Sequence, residues 1–136
     1  MFQSVLKGSC LCGAVHYEVE GDASRFYHCH CRRCRKATGT GHASNLLMVN
    51  ASLRFTQGKE FLKQYKVPEA KRFGKQFCSQ CGASLPRSSG ESDRIVIPAG
   101  SLDDEPPIMP QARIFWDSRA HWSCEDDLPR FSEYPV

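Results

Sequence analysis

Apolar and polar positions alternate with a period of two in the first part of the chain. Val15, Tyr17 and Val19 are separated by His16 and Glu18, which predicts a strand with one buried face. Gly21-Asp22 predicts its end, and residues 25–30 read as a second short extended stretch. Residues 44–49 and 53–56 are strand-like and are divided by Asn50-Ala51; residues 61–65 follow Gly58, and with 53–56 they predict a hairpin. Residues 73–77 lead into a cysteine turn. Residues 94–97 are apolar or β-branched after Arg94 and stop at Pro98, and residues 112–116 form another apolar run after Pro106-Pro107 and Pro110. Only residues 32–38 read as a helix, ended by Gly39. Residues 88–93 are polar and read as a loop, and the tail from Trp122 reads as irregular chain that could cover a sheet edge. Many short strands with turn signals between them predict an antiparallel, mainly β domain. Trp116, Trp122, Phe115 and Phe131 are expected in its core, since large aromatics dominate core burial.

The chain has 136 residues, with no internal repeat, which fits one domain over residues 1–136. No run approaches the ~18 apolar residues of a membrane span, and the first residues lack the apolar core of a secretory signal. A cytoplasmic location is therefore expected, where thiols stay reduced. Eight cysteines then call for metal rather than disulfides.

The cysteines fall into three clusters and a singleton: Cys10 and Cys12; Cys29, Cys31 and Cys34; Cys78 and Cys81; and Cys124. A tight turn can aim two thiolates at one tetrahedral ion, at Zn–S distances of about 2.3 Å, and Gly13 and Gly82 after two of the clusters permit the left-handed backbone such turns use. Cys10, Cys12, Cys78 and Cys81 make one complete tetrahedral set, leaving Cys29, Cys31 and Cys34 with a vacant fourth position. Structural zinc is usually closed, whereas catalytic zinc keeps a place for water or substrate. Spacing alone leaves a rival open, in which Cys31, Cys34, Cys78 and Cys81 form a zinc ribbon and Cys10, Cys12 and Cys29 remain. Metal also changes the charge picture. The formal net charge is +3 with neutral thiols; seven thiolates on two divalent ions bring it to about zero, so overall charge gives no argument for nucleic acid.

Four ordered motifs carry a resemblance. They are Gly8-Ser9-Cys10-Leu11-Cys12-Gly13-Ala14-Val15; Cys29-His30-Cys31-Arg32-Arg33-Cys34-Arg35-Lys36 followed by Gly39; Phe77-Cys78-Ser79-Gln80-Cys81-Gly82-Ala83-Ser84-Leu85; and Gly100-Ser101-Leu102-Asp103-Asp104. From about residue 8 to 130 the chain resembles the glutathione-dependent formaldehyde-activating enzyme family, which also includes centromere protein V. The resemblance implies antiparallel sheets in a β-tent. It implies a structural zinc on Cys10, Cys12, Cys78 and Cys81, and a second zinc on Cys29, Cys31 and Cys34 beside the thiol substrate. Arg113 stands where the family often has histidine, and the chain is shorter than the family's glutathione-dependent members. The metal sites therefore carry over more firmly than the reaction.

A three-thiolate zinc favours a soft incoming ligand such as a thiolate. The expected activity is thus that of a carbon–sulfur lyase acting on the aldehyde adduct of a small, glutathione-like thiol. Arg32, Arg33, Arg35 and Lys36 either bind the thiol's carboxylates or form a solvated helix face; the family motif favours Arg35 and Lys36 for the site. His30 lies between two ligands, but neighbours in extended chain point opposite ways, so it is expected to face away from the ion. His28 is a weaker candidate ligand, His16 is placed on a solvent face, and His42, His121 and Cys124 are given no chemical role. The alternatives are a zinc-stabilised binding module, for which the basic cluster is the sole argument, and a thiol or metal relay. No membrane or nucleic-acid partner is expected, and the sequence does not specify the oligomeric state.

Overall fold

The computed structural model describes residues 2–71, 73–89, 91–123 and 126–135. The chain runs β1 (Phe2–Ser9), β2 (His16–Cys29), α1 (Arg32–Thr38), β3 (Ala43–Gln57), β4 (Leu62–Lys66), β5 (Gly74–Cys78), β6 (Ser84–Leu85), β7 (Arg87–Ser89), β8 (Glu91–Pro98) and β9 (Ala112–Ile114). A six-stranded sheet has the order β1-β2-β3-β8-β7, with β9 also on β2; a three-stranded sheet has the order β4-β5-β6. The mainly β prediction and the single short α-helix hold. The pairing is antiparallel except between β2 and β9, which is parallel. At 14 residues, β2 outruns β1, and β9 occupies the edge left beyond it. Gln111 fixes that entry: its backbone N–H donates to the Phe26 carbonyl and its Oε1 accepts from the Phe26 N–H.

Two predicted breaks are not breaks. Gly21 and Asn50 lie inside single long strands, facing each other across the β2–β3 ladder. Glu20 pairs with Ser52 and Asp22 with Val49, so Asn50 and Ala51 together oppose Gly21. This is a β-bulge. Asn50 takes φ 50°, a Cβ on Gly21 would lie 2.7 Å from the Ala51 Cα, and Asn50 Nδ2 donates to Asp22 across the bulge at 3.2 Å. Turns and bulges use the same residue types because both need left-handed backbone or close approach.

The predicted 53–65 hairpin is also corrected. Gly58 (φ 76°) ends β3, and β4 joins the smaller sheet, pairing with β5. Most of the predicted 88–93 loop belongs to the β7–β8 hairpin at a sheet edge, where an exposed face tolerates polar side chains.

The core lies on the inner face of the large sheet. Tyr17, Val19, Leu46, Met48, Ile95 and Ile97 are buried there, and the small sheet adds Cys78 and Leu85. The aromatics expected in this core lie outside it: Phe115, Trp122 and Phe131 are more than half exposed and Trp116 is 37% exposed. The aliphatic alternation of β2, β3 and β8 already fills the inner face, and these four residues follow β8 in the chain.

The fourth motif is structural. Leu102 bridges to Gly8, the Asp103 N–H donates to the Lys7 carbonyl, and Asp104 Oδ2 accepts from the Lys7 N–H, so the motif closes the outer edge of β1. Ser101 bonds the Tyr17 hydroxyl at 2.6 Å. Burial pushes the Tyr17 phenol up to about 12; the Ser101 hydroxyl opposes this and Asp103 adds to it. A raised folded pKa makes the neutral phenol a source of stability that is fully present below the unfolded value near 10 and is lost as pH rises through 12. We therefore expect Tyr17→Phe to flatten the fall in melting temperature between pH 10 and 12, an effect of up to about 2–3 kcal/mol. Equal slopes for the two proteins would refute this.

Candidate metal centres

Two reverse turns build the first centre. In the β1–β2 turn the Cys10 N–H donates to the Val15 carbonyl and the Gly13 N–H to the Cys10 carbonyl; in the β5–β6 turn the Cys78 N–H donates to Ala83 and the Gly82 N–H to Cys78. Gly13 and Gly82 take φ 81° and 76°, the left-handed conformation foreseen for them. The sulfurs of Cys10, Cys12, Cys78 and Cys81 all lie within 4.8 Å of one another. Cys10–Cys12 and Cys12–Cys78 are 3.6 and 3.9 Å apart. Four sulfurs about 2.3 Å from a tetrahedral ion would be about 3.8 Å apart, so the donor set fits a metal of that kind. Cys10 and Cys78 are buried, Cys81 is half-buried and Cys12 is exposed. Backbone N–H groups, that of Ala83 foremost, hold the Cys81 thiol down to about 6, so a thiolate is favoured there.

The second centre lies where β2 runs into α1. Cys29 ends the strand, Cys31 caps the helix with its Sγ accepting from the Cys34 N–H at 3.3 Å, and Cys34 is the buried residue of the first turn. Their sulfurs also lie within 4.8 Å of one another; among the described residues no histidine, aspartate, glutamate or further cysteine joins them. Cys124 lies outside the described residues. Ala43 of β3, Ile114 of β9 and Phe73 pack around the trio. The hydrogen bond from Cys34 pulls the Cys29 thiol down to about 6 against its burial, and the same bond pushes Cys34 up. The ribbon pairing is excluded by these placements, because Cys78 and Cys81 gather with Cys10 and Cys12.

His30 belongs to a different cluster. Its ring lies 5.1 Å from both His42 and Trp116, Arg113 Nη1 is 3.4 Å from its Nε2, and His28 stacks on His42 at 4.1 Å. Burial, followed by the neighbouring His42 and Arg113, lowers both His28 and His30 below the ordinary imidazole range, which favours the neutral rings. The alternation that places Cys29 on one face of β2 places His28 on the other.

A cleft opens beside the trio. A cavity of about 240 Å³ has Cys34, His42, Phe73, Lys75 and Arg87 in its walls. It shares Phe73, Gly74 and Lys75 with a groove of about 540 Å³ lined by Arg32, Arg33, Lys36 and the exposed Tyr65. Arg32, Arg33 and Lys36 thus lie together, whereas Arg35 is half-buried in α1 and lines neither space. Sequence reasoning missed Phe73, Lys75, Arg87, His42 and Tyr65. They come from separate elements, and no local motif signals them.

Fold and sites together define a cysteine-rich β protein with two clusters that could hold metal ions, one four-sulfur and one three-sulfur. The comparisons agree with that class. A family model described as glutathione-dependent formaldehyde-activating enzyme matches residues 5–118, and the chain belongs to that family. A Halomonas elongata protein, named "Putative glutathione-dependent formaldehyde-activating enzyme", is 28% identical over 141 residues, covering 96% of this chain and 89% of the relative. A crystal structure of a Rhodobacter sphaeroides protein superposes with a TM-score of 0.59 at 23% identity, over 79% of this chain and 99% of that one; it supports the fold alone. No helix among the described residues is long and apolar enough to cross a membrane.

Proposed function

We propose that the chain is a zinc-dependent carbon–sulfur lyase that makes or breaks the adduct of a small glutathione-like thiol with an aldehyde. In this reading Cys10, Cys12, Cys78 and Cys81 hold a structural zinc, and Cys29, Cys31 and Cys34 hold a second at the reaction centre. One observation carries it: Cys34 of a three-sulfur cluster lines a cavity, and no fourth protein ligand joins that cluster among the described residues. A soft divalent ion at the trio supplies a Lewis-acidic position that favours an incoming thiolate.

The reaction balances without an oxidant. Adduct formation makes one carbon–sulfur bond, breaks the carbonyl π bond and moves the thiol proton to the carbonyl oxygen; breakdown reverses this. The cavity beside Cys34 receives the reacting end of the thiol, and the groove lined by Lys36, Arg32 and Arg33 suits a peptide-like, carboxylate-bearing remainder. Arg35 supports this only from within the helix. The seven cysteines among the described residues are free thiols, which suits a reducing compartment such as the cytoplasm.

Zinc analysis should give two ions per chain, one released first by a mild chelator. Glutathione added to the zinc-loaded protein should shift NMR signals of residues 29–38 and 73–75. If millimolar glutathione leaves those signals unmoved, the thiol reading is lost. A binding-module reading has one observation in its favour, the exposed Tyr65 beside three basic side chains. Salt-sensitive binding of a single-stranded oligonucleotide, together with silence toward thiols, would select it.

A further inference from the structure

Arg87, in β7, is half-buried in the wall of the 240 Å³ cavity that also contains Cys34. Its guanidinium lies over the Phe73 ring, 5.7 Å from the centroid, and Phe73 packs against the three-cysteine cluster. Among the described residues no carboxylate pairs with Arg87. An arginine that lines the same cavity as Cys34 presents its two-pronged donor geometry to a carboxylate entering there. Lys75 stands beside it: one of its ammonium hydrogens is committed to the Ala37 carbonyl, at 2.8 Å, and an ammonium has two more to offer.

We propose that Arg87, assisted by Lys75, is the specificity-determining group for the substrate, binding a carboxylate of the thiol while its sulfur lies at the Cys29–Cys31–Cys34 cluster. This rests on the thiol reading above and assigns to Arg87 the preference for thiols that carry a carboxylate over neutral thiols of similar size. The cavity is smaller than the roughly 300 Å³ at which small-molecule sites begin, so it takes one end of such a molecule. The remainder can extend past Lys75 into the adjoining groove. The basic residues after Cys31, which the sequence brings forward, thus serve the far end, while Arg87 serves the end near the sulfur.

The test uses zinc-loaded full chain, with glutathione and glutathione diethyl ester as probes and NMR-detected affinity as the readout. Wild type should prefer glutathione to the diester. Arg87→Gln should weaken glutathione binding by about tenfold to a hundredfold, as expected for one charge-assisted pair, while leaving the diester's affinity and the two zinc ions unchanged. Arg87→Lys should fall between, since it keeps the charge and loses the two-pronged geometry. If Arg87→Gln does not fold, Arg87→Lys carries the same comparison. Undiminished glutathione affinity in whichever variant folds, or equal affinity of wild type for both probes, would overturn the assignment while leaving the thiol reading standing. Wild type that binds neither thiol would remove both.

Discussion

Replacing Cys78 with serine is expected to leave the chain without a cooperative fold at room temperature. Cys78 is fully buried at the end of β5, and its sulfur lies 3.9 Å from that of Cys12, 66 residues earlier in the chain. The quartet joins the β1–β2 turn of the large sheet to the β5–β6 turn of the small one. An ion there closes a long loop that the chain would otherwise have to close by packing alone. Structural zinc sites contribute apparent folding free energies of roughly 10–16 kcal/mol, against a total stability of about 5–15 kcal/mol for an ordinary domain. Losing a ligand also leaves a serine hydroxyl in an apolar position beside three thiols. Circular dichroism and proton–nitrogen correlation spectra should show an unfolded chain with neither ion retained. A Cys78→Ser protein that melts cooperatively within a few degrees of wild type would show that the quartet is not what holds the two sheets together.

The same geometry explains which features the sequence reveals. Cys10 with Cys12, and Cys78 with Cys81, are aimed by the hydrogen bonds of a single turn, so their spacing and the glycines after them are visible locally. The helix of residues 32–38 is legible for the same reason, because its cap, its buried Cys34 and Gly39 all lie within one short stretch. What the sequence hides depends on opposition across the fold. Gly21 looks like a strand end until Asn50 is found facing it. Residues 61–65 look like the second half of a hairpin until β4 crosses to the other sheet. The cavity beside Cys34 takes Arg87 from β7, Lys75 from β5 and His42 from the segment before β3, and no periodicity connects these positions. The exposed aromatics teach a complementary lesson. Trp122 and Phe131 have the composition of a core, but they follow strands whose own alternation already fills it.

Cys31→Ser is expected to do the opposite of Cys78→Ser: remove one ion and thiol binding, and keep the fold. Cys31 is half-buried, and its sulfur does two things in the structure. It stands with Cys29 and Cys34 in the trio, and it caps α1 by accepting the Cys34 N–H. Serine is among the best residues at a helix N-cap, so the hydroxyl inherits the capping bond while a soft, anionic ligand is lost to the ion. The helix should therefore survive with a stability change within about 1 kcal/mol. Two sulfurs are too few to retain zinc against a mild chelator. Metal analysis should fall from two ions to one, the melting transition should remain cooperative, and glutathione should no longer shift the signals of residues 29–38. Loss of the whole fold would mean that the trio is architectural, and retention of both ions with undiminished glutathione binding would mean that Cys31 is not a ligand.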